Sequence, residues 1–208
     1  MIDSNGYVIT RDNGKTLIYA GTPNNRGMNY GGAFESDPLD INLSDYTKIG
    51  EGALACLIDG NLTGSLSGVT SIGKKAFYSC MQLTEAQLSS SITEIPDSAF
   101  YKCYRLNSIN IPASVTRIGV HAFAHCPLEE ATLSGSNLTT IDNYAFYNNS
   151  PLKSINIPAS VKTLGEYAFS GCSQLANLTG CQGLTKIGIN CFERIGVKTL
   201  DLSITTLT

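Results

Sequence analysis

The chain has 208 residues, a formal net charge of −3, 42% hydrophobic residues and only 15% charged residues. Its aliphatic residues recur too regularly for a disordered chain, and its 14 Lys and Arg residues form no dense run that could track a nucleic-acid backbone. It contains no apolar stretch of about 18 residues, so we expect no membrane span.

The first thirty residues differ from the rest of the chain. Residues 7–10 and 16–20 are rich in β-branched and aromatic residues, and between them lies Asn13-Gly14, a pair that favours a tight hairpin turn. A stack of repeats leaves its first apolar cross-section open, and an atypical terminal unit usually covers it. We therefore predict a β-hairpin cap and its link over residues 1–30. The alternative is a separate ligand-binding hairpin.

From residue 31 to residue 208 the chain is repetitive. Aliphatic residues recur five and eight positions before a Phe that returns every 23 residues, at Phe77, Phe100, Phe123, Phe146, Phe169 and Phe192. Earlier coils are weaker, since Leu54 takes the Phe position in one and Phe34 marks another. A period of this length is typical of leucine-rich repeats and predicts a single solenoid of about seven to eight coils.

Each coil is expected to contain one short strand. Apolar and polar residues alternate in residues 106–112 and 152–158, as in a strand with one buried face, and Pro112 and Pro158 should end these strands. The strands should stack into one parallel sheet. Residues 119–126 are too few for a long helix, so we expect turns with one short helical or 3₁₀ segment there. The predicted fold is thus α/β or mainly β.

The pattern Ile-Gly-x-x-Ala-Phe-x-x-Cys-x-x-Leu-x-x-Ile-x-Ile-Pro-x-Ser-Val is carried best by residues 118–126 and 152–161. It resembles the repeat of the BspA-like leucine-rich repeat surface proteins, over about residues 46–208. The resemblance implies a leucine-rich-repeat solenoid that is secreted or at the cell surface and adheres to host proteins or other cells. No catalytic residue belongs to that repeat, so the resemblance transfers none.

A second column of residues lies three places after the repeated Phe. It comprises Cys80, Cys103, Cys126 and Cys172, and Asn149 takes the missing position. Small buried thiols packed beside the Phe residues are the simpler interpretation, although neighbouring coils are close enough to allow a disulfide. We expect Cys56 to join the end of this column. Asn149 either bonds the backbone of neighbouring coils or belongs to a local turn.

The sequence predicts no enzyme and no cofactor or metal site. His121 and His125 occupy variable positions and are expected to be solvated. Glu129 and Glu130 are adjacent carboxylates without a partner that would support acid–base chemistry. The cysteines lack the paired spacing of a zinc site.

A binding site is expected on the outward positions of the strands, which line an extended face. The candidate residues of this strand face are Glu85, Gln87, Ser108, Asn110, Glu130, Thr132, Ser154, Asn156, Asn177 and Thr179. Its expected partner is a host or neighbouring-cell protein, with a glycan as the alternative ligand. The other hypothesis is a structural spacer rod within a larger surface protein.

Residues 1–6 have neither the basic start nor the apolar segment of a signal peptide. Together with the family resemblance, this leads us to expect a mature or trimmed form of an extracellular or cell-surface protein. An open last coil would expose a strand edge, so we expect a monomer or weak end-to-end association.

Overall fold

The computed structural model describes residues 8–12, 16–21, 40–57, 61–135 and 137–197. Their strands, in chain order, are β1 (Val8–Asp12), β2 (Thr16–Gly21), β3 (Asp40–Asn42), β4 (Lys48–Ile49), β5 (Asn61–Thr63), β6 (Ser71–Ile72), β7 (Glu85–Gln87), β8 (Glu94–Ile95), β9 (Ser108–Ile111), β10 (Arg117–Ile118), β11 (Glu130–Leu133), β12 (Thr140–Ile141), β13 (Ser154–Ile157), β14 (Thr163–Leu164), β15 (Asn177–Gly180) and β16 (Lys186–Ile187). The predicted Asn13-Gly14 turn, Phe34 and the boundary near residue 30 lie outside these residues, so the domain division stays a prediction.

The longer strands form the predicted parallel sheet. Its order is β7-β9-β11-β13-β15, and β3 and β5 pair in parallel in the coils before it. Strands β9 and β13 end immediately before Pro112 and Pro158, as expected, because proline cannot donate a hydrogen bond to the neighbouring strand. Alternation is also confirmed, since Ile109 and Ile111 are buried while Asn110 between them is exposed.

A second parallel sheet was not predicted. Two-residue strands pair in the order β8-β10-β12-β14-β16, and they carry the aliphatic residue five places before each Phe. Strands of two residues are too short to show alternation in the sequence. The cross-section therefore has two walls of strands instead of one.

The N-terminal hairpin is confirmed. Strand β1 pairs antiparallel with β2, with an irregularity between Thr10 and Arg11. Strand β2 then pairs in parallel with β4, and β4 with β6. The hairpin thus extends the wall of two-residue strands at its first coil, where an unpaired edge would otherwise remain.

The third side of the coil, called here the turn wall, consists of turns around the repeated Phe. Its backbone is not helical, because two residues of each turn have left-handed φ, for example His121 at 55° and His125 at 59°. The described 3₁₀ helices lie elsewhere, at Leu43–Asp45 and Leu66–Gly68. The turns hydrogen-bond from coil to coil: the amide of Phe123 donates to the carbonyl of Ala145 at 2.8 Å. All three walls are therefore held by bonds between coils.

The Phe residues form the centre of the core. From Phe77 to Phe169 their side chains are fully buried, and successive ring centroids lie 5.1 to 5.3 Å apart. Phe192 continues the stack at 5.9 Å and is only half-buried. This spacing is close to the separation of about 4.8 Å between neighbouring strands, so the rings and both sheets stack at nearly the same rise per coil.

The Cys column packs beside the rings and bonds the neighbouring coil. The thiol of Cys126 donates to the carbonyl of Phe100 at 3.0 Å, and Cys103 bonds Phe77 in the same way. Burial raises the pKa of the Cys172 thiol to about 12, as expected for an unreactive packed thiol. Cys56 does not join the column, contrary to expectation. It occupies a left-handed turn position, and the buried Leu57 takes the column position.

Asn149 bonds the backbone of neighbouring coils, as one of the two interpretations proposed. Its amide Nδ2 donates to the carbonyls of Phe123 and Phe146 at 2.8 and 2.9 Å, and its Oδ1 accepts from the Leu128 amide at 3.4 Å. The residue is fully buried. It therefore replaces the single thiol bond of the other coils with a larger network.

We expect Asn149→Ala to lower the free energy of unfolding by about 2 to 5 kcal/mol, because buried carbonyls lose their donor. Asn149→Cys should lose clearly less, since a thiol makes the corresponding bond in the coils of Cys103 and Cys126. Urea denaturation of the three proteins measures both values. A cysteine variant as unstable as the alanine variant would show that the column position does not act through this bond.

Candidate binding surfaces

The structure brings the ten predicted strand-face residues together on one surface. Sheet pairing aligns them in two columns, because Ser108 is the register partner of both Glu85 and Glu130, and Asn110 that of both Gln87 and Thr132. Ser154 pairs with Asn177 and Asn156 with Thr179 in the same way. Nine of the ten are exposed and Ser108 is half-buried.

The strand-face side chains are partly bonded to one another. Thr179 Oγ1 donates to Asn156 Oδ1 at 3.0 Å, and Ser134 Oγ donates to Asn110 Oδ1 at 2.9 Å. At the edge of the face, Lys153 and Glu129 form an exposed ion pair at 3.1 Å. The result is a polar surface on which some side chains are held by hydrogen bonds.

The turn wall carries a second surface that the sequence analysis missed. We call it the Tyr–His stripe, a run of half-buried rings comprising Tyr78, Tyr101, His121, His125, Tyr144, Tyr147 and Tyr167. Tyr78 and Tyr101 stack at 4.9 Å, His121 and Tyr144 at 4.7 Å, and Tyr144 and Tyr167 at 5.0 Å. Edge contacts of Tyr101 with His121 and His125 join these stacks.

The stripe corrects the expectation that both histidines are solvated. Each lies at a left-handed turn position two residues from Phe123, which directs it beside rings of the adjacent coils. Burial lowers the pKa of both histidines, and the positive charge of Lys102 lowers that of His125 further. The sequence did contain a signal, since Tyr78, Tyr101 and Tyr147 each directly follow a repeated Phe.

A groove opens beside Tyr147 of the stripe. It has a volume of about 330 Å³ and crosses three coils, with Tyr147 and Asn148 on one side and Glu193 and Arg194 on the other. Between them lies Gly171, which takes the turn position held by His125 and Asn148 in the two preceding coils. The groove is therefore a gap in an otherwise continuous row of side chains.

The wall of two-residue strands carries a charged cluster. Arg117 on β10 pairs with Glu94, with Asp97 at 2.9 Å and with Asp142 at 2.5 Å, and Lys74 pairs with Asp97 at 3.2 Å. Burial opposes the charge of Asp97, but hydrogen bonds from Arg117 and Lys74 outweigh it and lower the pKa of this carboxyl. The cluster ties coils together, with three carboxylates around two cations.

The Glu129 and Glu130 carboxylates are both exposed, and Glu129 is already paired with Lys153. Among the residues that the structure describes, no group of three or more His, Cys, Asp or Glu side chains could hold a metal ion. The same residues include no helix with the length and apolar character needed to cross a bilayer.

Short parallel strands, stacked aliphatic columns and a repeat of 23 residues define a leucine-rich repeat solenoid. The chain belongs to the BspA type of leucine-rich repeat region, whose model matches residues 39–152 and 70–198 in six copies. The predicted family and fold are thus confirmed. A search of curated proteins finds no match to this chain.

Solved structures show the same fold. A leucine-rich repeat protein from Bacteroides ovatus is 25% identical over 96% of this chain, with a TM-score of 0.63, and the chain spans 58% of that protein's length. The leucine-rich repeat protein of T. pallidum is 21% identical over 91% of this chain and 86% of its own, with a TM-score of 0.59. The pneumococcal vaccine antigen PcpA is 20% identical over 77% of this chain and 51% of its own, with a TM-score of 0.50.

The lowered histidine pKa values predict a pH-dependent stability. In the unfolded chain both histidines take up protons near their ordinary pKa of 6.5, whereas in the folded chain they do so only at lower pH. Folding therefore opposes protonation, and the melting temperature should fall as the pH drops from 7 through about 6.

The variant His121→Asn/His125→Asn should show a flatter dependence over this range, because asparagine tolerates left-handed φ and does not titrate there. Thermal melts of both proteins between about pH 7 and 5.5 check this. Identical slopes for the two proteins would mean that these histidines do not couple folding to pH.

Proposed function

We propose that this chain is a non-enzymatic recognition and adhesion module, secreted or displayed at the cell surface, that binds a host or neighbouring-cell protein through the strand face. The observation that supports this most directly is the alignment of all ten strand-face residues in two columns across five hydrogen-bonded strands. A site for a folded partner needs such a continuous, fixed surface.

The dimensions and chemistry of the strand face suit a protein contact. Five strands span about 19 Å between the first and the last, a width comparable to one side of a small interface. Ser, Thr and Asn lose less rotamer entropy on binding than long side chains do. Glu85 and Glu130 are exposed on the face and none of its ten residues is basic, so the expected partner presents a basic patch.

The core and the outer surface of the coils differ in how far their residues vary. The positions that repeat from coil to coil are occupied mostly by buried Phe, aliphatic and Cys residues, which pack and make backbone bonds. Apart from a few core replacements such as Asn149, the residues that vary lie on the outside. This division suits recognition, since the outer residues can change while the core keeps the coils in register.

The proposal predicts that Glu85, Asn110, Thr132 and Asn156, changed together to Ala, weaken binding at least about tenfold, which corresponds to about 1.4 kcal/mol. The melting temperature should change little, because all four side chains are exposed. The experiment measures binding of the wild type and the variant to a panel of purified extracellular-matrix and cell-surface proteins by biolayer interferometry.

The matched control is Tyr78→Ala, an aromatic surface change on the turn wall that should leave the affinity unchanged. Wild-type affinity in the fourfold variant, or a loss confined to the turn-wall control, would contradict the strand face as the site.

A spacer rod within a larger surface protein is the second candidate function. It is favoured by the hydrogen bonds between coils on all three walls, which make a stack of this kind stiff. Absence of binding to every protein of the panel would support the rod over recognition.

A further inference from the structure

The groove beside Tyr147 exists for a local reason. In the coil of Phe123, the small Ala124 follows the Phe, but the ring of His125 covers that position and contacts both Tyr101 and Tyr147. In the coil of Phe169, Ser170 follows the Phe and is itself buried, and the next residue, Gly171, supplies no ring like that of His125. The groove is the open space that remains beside Tyr147.

The two sides of the groove carry different chemical groups. On one side lie the Tyr147 ring and the Asn148 amide, which is held by a 3.2 Å contact between its Nδ2 and the Nδ1 of His125. On the other side lie Glu193 and Arg194, whose carboxylate Oε1 and guanidinium Nε are 3.5 Å apart. The end of the groove is lined by the Ser150 and Ser173 hydroxyls, which bond each other at 2.6 Å.

We propose that this groove binds a neutral saccharide, one pyranose ring of a surface or matrix glycan. An aromatic ring beside an open space accepts the apolar C–H face of a sugar. An amide, a carboxylate, a guanidinium and two hydroxyls around that space can donate and accept hydrogen bonds to the sugar hydroxyls. A volume of about 330 Å³ is at the lower end of small-molecule sites, which suits one ring.

Other occupants fit less well. An anion would meet the Glu193 carboxylate beside Arg194, so the groove has no net positive charge. A protein partner would need a surface several times larger than a groove of this volume provides. Of the seven rings of the stripe, Tyr147 is the one that lines the groove.

This inference goes beyond the proposed function, because the ligand class and the wall both differ from those of the strand face. The two proposals can therefore fail separately. Saccharide binding should persist in the fourfold strand-face variant, and protein binding should persist in variants of the groove.

The experiment is a titration of the ¹⁵N-labelled chain with methyl mannoside, methyl galactoside and N-acetylglucosamine, followed by heteronuclear NMR. At least one sugar should shift amide signals in residues 147–150, 170–173 and 193–194, saturably, with a Kd of about 0.1 to 10 mM. The variants Tyr147→Ala and Glu193→Gln should weaken that binding at least tenfold, whereas Tyr78→Ala, in the equivalent position three coils away, should not.

Arg194→Ala provides a second test should Tyr147→Ala fail to fold, because the Arg194 side chain is 82% exposed and contributes little packing. It too should weaken the binding. Inorganic phosphate serves as the anion probe and should leave the groove signals unshifted. The proposal is overturned by the absence of saturable shifts with all three sugars, by shifts confined to another surface, by wild-type affinity in the groove variants, or by phosphate binding in place of sugar.

Discussion

The stacking of one Phe ring on the next is the contact on which this molecule depends. Each ring from Phe100 to Phe169 is covered above and below by the equivalent ring of the adjacent coils, and successive centroids lie 5.1 to 5.3 Å apart from Phe77 to Phe169. The turn wall has no strands, so its spacing is set by its own backbone bonds from coil to coil together with the rings and the Cys and Asn149 bonds beside them. A single coil has no such partners, which is why the unit is stable only when repeated.

The regular spacing of the side chains on the outer surface follows from this ring stacking. Because equivalent turn residues recur at the ring spacing, side chains on the outside stack as well, and the Tyr–His stripe follows. Where a coil supplies Ser170 and Gly171 in place of larger residues, the same regularity produces a groove of defined shape. The close fit extends to the backbone: a Cβ on Gly165 would lie 2.2 Å from the Asn143 amide nitrogen. The variable outer residues thus sit on a core whose packing changes little from coil to coil.

Much of the fold could be predicted because the packing positions are repeated in phase. The Phe column, the long-strand sheet and the alternation along β9 and β13 all follow from residues that recur every 23 positions. The wall of two-residue strands could not be predicted, since two residues show no period. Left-handed turns were missed because residues as different as His121, Ser98 and Lys75 occupy one position and share no composition that marks it. The groove could not be predicted because it forms where small residues lie beside larger ones of neighbouring coils. The sequence alone does not show which side chains become neighbours.

The most direct test of this view is the free energy of unfolding of Phe123→Ala, measured by chemical denaturation beside Phe123→Leu. Phe123 lies in the middle of the stack and is fully buried, so its removal opens a cavity that two neighbouring rings cannot fill. We expect a loss of about 3 to 5 kcal/mol for the alanine variant and a clearly smaller loss for leucine, which refills part of the volume. A loss below about 1 kcal/mol for alanine would contradict the Phe stack as the contact that holds the coils together.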